Sequence, residues 1–154
     1  MRKIKIGCLV VMFLLVTLAS SFALRLGLEF GNPDAVIVIR INPIDLKIGY
    51  NFAGLMGGGT SVFFHISGDY RIIQMNLIDF LNLYIGAGAY AQVFTGGEGA
   101  FGFGARIPIG LNAYLAKNVI EVFVEAVPTI SFLPAPGFGG IQGYLGFTIA
   151  VPKF

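Results

Sequence analysis

The chain is short of the residues that most chemistry needs. Its 154 residues include one cysteine, one histidine and no tryptophan, and only 12% are charged. A single histidine leaves no multi-histidine zinc site. The cysteine, Cys8, stands at the start of an apolar run, whereas a lipoprotein carries its cysteine after one. No disulfide and no Cys-x-x-Cys metal site can form. Charge is too sparse and too balanced for a nucleic-acid surface. Ten Lys/Arg face eight Asp/Glu, and three of the ten (Arg2, Lys3 and Lys5) crowd the N-terminus. Without them seven face eight, a net of −1, and no basic run remains.

Those three cations are followed by the apolar run Ile6 to Leu18 and then by Ser21-Phe22-Ala23. This is the order of a secretory signal: charge, oil, small-x-small. The run is shorter than the roughly 20 residues of a spanning helix. The expected organisation is a signal peptide over 1–23, cut after Ala23 and taking Cys8 with it, and one domain over 24–154.

What the chain has in quantity is apolar residues, 56% of the total, with 22 glycines, 15 Phe and 6 Tyr. Two stretches, Phe80 to Gly97 and Ala126 to Pro152, lack charge for long enough to imitate a spanning helix. The second holds four prolines (Pro128, Pro134, Pro136 and Pro152), which would break one. The first alternates with period two. The clearest alternation is Ala100 to Leu115. There Phe101, Phe103, Ala105, Ile107, Ile109, Leu111, Ala113 and Leu115 share one register. Gly102, Gly104, Arg106, Pro108, Gly110, Asn112 and Tyr114 share the other. A strand sends successive side chains to opposite faces, so this stretch has one oily face.

Read with that period, the chain gives eight segments: 24–30, 35–41, 45–53, 60–72, 80–94, 100–115, 119–130 and 138–151. Turn signals separate them, among them Gly31 to Asp34, Asn42-Pro43, Asn76 to Asp79 and Lys117-Asn118. Glycine-rich and proline-rich loops lie at Gly54 to Gly59, Thr95 to Gly99 and Phe132 to Gly137.

The charges decide which face meets what. Arg25, Glu29, Arg40, Lys47, Asp69, Arg71, Arg106, Glu121 and Glu125 all fall on the non-oily register, with His65. The oily register is too bulky to fill an eight-stranded interior, which has room for a few side chains per layer. Glycines interleaved with Tyr and Arg suit a narrow lumen. The expectation is an all-β, eight-stranded antiparallel up-and-down transmembrane β-barrel, oily face outward, with those nine charges paired inside. Arg106 is expected to pair with Glu121 or Glu125 on the next strand, and those two glutamates to serve Arg71 and Arg106.

Taken together, the pattern resembles the small eight-stranded outer-membrane proteins of the OmpA/OmpX architecture. That resemblance implies residence in the outer membrane of a Gram-negative-type envelope. It implies outer-membrane lipid and the barrel-assembly machinery as partners, a monomer as the default state, and no cofactor or metal. Phe154 is similar to the terminal aromatic that marks such proteins for assembly. His65-Ile66-Ser67 looks like the His-x-Ser of outer-membrane lipid A deacylases, with Asp69 or Asp79 as the acid. The register turns His65 and Ser67 inward, away from any lipid. The lead expectation is therefore a non-enzymatic barrel with a structural or interaction role and no wide pore. A lipid-modifying enzyme and a narrow pore are the alternatives.

Overall fold

The structure, a computed structural model, describes residues 24–31, 35–50, 63–94 and 101–152. The signal segment with Ala23, most of the loops at 31–34, 54–59 and 95–99, and Phe154 lie outside the described residues.

Every described element is a strand. They are β1 (Leu24–Gly31), β2 (Ala35–Ile41), β3 (Ile44–Tyr50), β4 (Phe63–Ile78), β5 (Leu81–Phe94), β6 (Phe101–Arg106), β7 (Ile109–Leu115), β8 (Ile120–Leu133) and β9 (Gly137–Ala150). All pairings are antiparallel, and each strand pairs with its sequence neighbours except that β6 and β7 do not pair with each other. β6 and β7 both lie between β5 and β8, so together they fill one place. β1 pairs with β9 and closes the sheet into a ring of eight places. Paired residues can be followed once around from Ala150 through Arg25, Arg40, Asp45, Asp69, Gly88, Arg106 and Thr129. The path returns to β9 at Gly140, ten residues away (150 − 140). Such a stagger tilts the strands of a closed sheet.

One end of the ring carries the tight connections Asn42–Pro43, Asp79–Phe80 and Ala116–Val119. Both ends of the described chain meet there, where Val151 N donates to Leu24 O at 2.8 Å. We refer to it as the turn end. The turn after β7 is tight enough to put Ala116, Lys117 and Asn118 all at positive φ. Only asparagine of the three tolerates that conformation readily. Arg25 holds this turn, donating to Asn118 O at 2.9 Å and Val119 O at 3.1 Å.

Three boundaries differ from the sequence reading, each for a physical reason. The stretch Phe101 to Leu115 is interrupted at Ile107-Pro108. Proline brings no N–H to the ladder. The chain still stays in the sheet, because Gly86 N donates to Pro108 O at 2.8 Å and Ile107 N donates to Pro128 O at 3.0 Å. β4 does not stop at Ile72 but runs to Ile78, and Asn76 belongs to the strand rather than to a connection. Two register shifts, between Arg71 and Ile73 and between Asn76 and Ile78, each insert a residue. A bulge breaks the two-residue period that the reading depends on. β8 continues to Leu133, so its link to β9 is shorter than the expected loop Phe132 to Gly137.

Candidate functional site

Inside the ring most of the buried side chains are polar, with Val36, Val38, Phe123 and Val127 packed among them. Arg25, Glu29, Arg40, Lys47, Asp69, Arg71, Arg106, Glu121 and Glu125 are all buried, and Asp45 joins them. That makes five cations and five anions. Asp45 shares a face with Lys47 on β3, so extending the alternation back from Lys47 would have found it. Half of the ten (Arg25, Arg40, Asp45, Asp69 and Arg106) lie on the single row of paired residues traced above. Two of those pairings set like charges opposite each other, Arg25 with Arg40 and Asp45 with Asp69. Such pairs are unfavourable unless other groups intervene, and here they do.

Toward the turn end the intervening group is Glu121. Its Oε2 takes Arg40 at 2.6 Å and Arg25 at 3.2 Å, so one carboxylate holds the arginine pair apart. Thr148 donates to the same oxygen at 2.9 Å, and Asn112 donates to Oε1 at 2.6 Å. Arg40 forks onto Asp45 at 2.7 and 2.9 Å, the bidentate geometry that suits a guanidinium. Arg71 also binds Asp45, at 3.2 Å, and reaches Glu121 at 3.5 Å. The Arg71 guanidinium lies 3.8 Å from the centroid of the Tyr84 ring, and that of Arg40 lies 4.7 Å from Phe123.

Toward the other end Lys47 is the hub. It is fully buried and meets Glu125 at 2.5 Å, Glu29 at 3.0 Å and Asp69 at 3.8 Å. Tyr84 joins the two groups, its ring under Arg71 and its hydroxyl donating to Glu125 Oε1 at 2.5 Å. Glycines make room for these large side chains. A Cβ on Gly110 would fall 2.3 Å from the Tyr84 ring, and one on Gly104 would fall 2.7 Å from Tyr90.

Arg106 is placed differently from the sequence expectation. It pairs with Asp69 at 3.1 Å, not with Glu121 or Glu125. The residue facing it across the β6–β8 ladder is Thr129, and its side chain reaches toward β4 instead. There it donates to Ser67 Oγ at 2.8 Å and to His65 Nε2 at 3.2 Å. An arginine can only donate, so His65 accepts at Nε2 and carries its proton on Nδ1. His65 and Ser67 thus each face the same guanidinium nitrogen rather than each other. Asp69 answers Arg106 and Lys47, and Asp79 sits in the turn after β4. Among the described residues no group of three or more His, Cys, Asp or Glu is placed to hold a metal ion.

Outside, the ring is apolar. Among the described residues only Asp79 and Lys117 carry charge away from the interior, and both lie in turns. Set against known proteins, the chain matches no family model, no curated protein and no solved structure.

Proposed function

We propose that the chain is a non-enzymatic outer-membrane β-barrel protein with a structural or interaction role, its lumen filled by ion pairs rather than open as a wide pore. The observation that carries this reading is the inverted distribution of polarity. All ten charges on the described strands are inside, while 33 large apolar side chains, from Leu26 on β1 to Ile149 on β9, stand exposed outside. Soluble proteins rarely expose contiguous apolar patches beyond a few hundred Å². A hydrocarbon surround makes the same arrangement favourable, because the oily face meets lipid and every charge finds its partner within. An eight-stranded interior is just wide enough for side chains to fill. Here arginine, lysine and tyrosine fill it, which supports a closed lumen. The tight connections Asn42–Pro43, Asp79–Phe80 and Ala116–Val119 gather at one end of the ring, as in a chain that crosses and recrosses a bilayer.

The test is fractionation with gel mobility. The protein is expected to sediment with outer membranes, and the unheated form to migrate differently from the boiled form on a detergent gel. Recovery as a soluble periplasmic protein would overturn the proposal.

A further inference from the structure

We propose that the mouth of the ring at its turn end binds a neutral pyranose sugar. Three strands deliver an asparagine to the same level of the interior. Asn76 on β4 stands opposite Asn82 on β5, and Asn82 stands opposite Asn112 on β7. Gln74 and Tyr114 complete the lining of a recess of about 120 Å³. Neighbouring strands lie about 4.8 Å apart, so the three carboxamides form a short row at that spacing. The ion pairs of the interior do not use this row, apart from the bond of Asn112 to Glu121. The second bulge of β4, between Asn76 and Ile78, is at its edge, and bulges re-aim side chains near sites.

The lining selects the ligand's chemistry. No charged side chain lines the recess. Behind it stand both signs, Glu121 on Asn112 and Arg25 at 5.4 Å from the Tyr114 ring centroid, so neither an anion nor a cation is favoured. Each carboxamide offers two donors and an acceptor oxygen. The complementary ligand is uncharged and carries donor and acceptor on adjacent atoms, as the vicinal hydroxyls of a sugar do. Tyr114 adds an apolar wall with a polar tip, which suits the C–H face of a pyranose and one further hydroxyl. At about 120 Å³ the recess takes part of one ring, and the rest stands in the open mouth. This site stands on the closed ring alone, so a failed fractionation experiment would leave it intact and a failed binding experiment would leave the membrane reading intact.

The experiment follows the side-chain amide signals of Asn76, Asn82 and Asn112 by NMR in isotope-labelled protein refolded in micelles. The probes are N-acetylglucosamine and methyl glucoside, with sorbitol and glycylglycine as comparisons. Saturable shifts of the row with either sugar are expected, with Gln142 at the other end unmoved. Affinity is expected to be about tenfold weaker in Asn82→Ala, the loss of one good hydrogen-bonding partner. Dispersed backbone signals report that this variant folds. If it does not, Asn76→Ala at the exposed rim takes its place. The proposal is overturned if neither sugar gives a saturable shift, if sorbitol or glycylglycine shifts the row as strongly, or if the variant binds unchanged.

Discussion

At the scale of the residue, the interior works as one set of mutually dependent charges, and Lys47 shows this best. It is the only cation within 4 Å of either Glu29 or Glu125 among the described ion pairs. Removing one partner of a buried pair leaves an uncompensated charge and costs about 3–5 kcal/mol, whereas removing a pair together costs much less. Lys47→Met is therefore expected to lower the urea midpoint of the refolded protein steeply. Lys47→Met with Glu125→Gln is expected to recover part of the loss. A double variant no more stable than the single one would show that Lys47 is not the hub. That these charges share a register was legible in the sequence, because alternation sorts residues by face. Their partners were not. The sequence reading joined Arg106 to the glutamates of the neighbouring strand, but a long side chain inside a narrow ring can reach past its neighbour. Arg106 finds Asp69, Ser67 and His65 on β4. Ring curvature, which decides such reach, leaves no mark in a linear pattern.

At the scale of the element, the strand built from β6 and β7 is held together across a proline. Gly86 and position 108 face each other across the ladder between Arg106 and Ile109, and Gly86 N already donates to the carbonyl at 108. In an antiparallel sheet such a pair exchanges two bonds, and proline forfeits the second. Pro108→Ala restores an N–H aimed at Gly86 O. The new amide at 108 is expected to be protected from hydrogen exchange to a degree comparable with its neighbours in β7. Rapid exchange there would mean that the chain leaves the sheet at this point instead of merely lacking a donor. The sequence showed most of each strand, since β1 and β2 lie within a residue of their expected bounds. It failed where the two-residue period itself fails. At Ile72 and Ile73, two consecutive apolar residues both face outward, and only a bulge explains how.

At the scale of the whole molecule, the question is what surrounds the ring, and a pair of surface substitutions answers it through the size of their effect. Ile109 lies near the middle of the stretch Phe101 to Leu115, with its side chain outward and 40% exposed. Leu115 ends that stretch beside a turn, outward and 47% exposed. In water, replacing either exposed side chain by lysine changes stability by no more than about 0.5 kcal/mol. In a bilayer the two sites differ. A lysine at the midplane of a barrel's lipid face costs about 2–4 kcal/mol, and one near the interface costs about 0–1 kcal/mol. Ile109→Lys is therefore expected to be markedly less stable than Leu115→Lys when both are unfolded from lipid vesicles with urea. Equal and negligible losses would mean that the oily face meets water. The outward register that this experiment probes was legible from alternation and charge, because each strand that carries charges had to choose one face for them. The same experiment separates depth from exposure. Both sites are comparably open to their surroundings, so only the medium around the ring can make them differ.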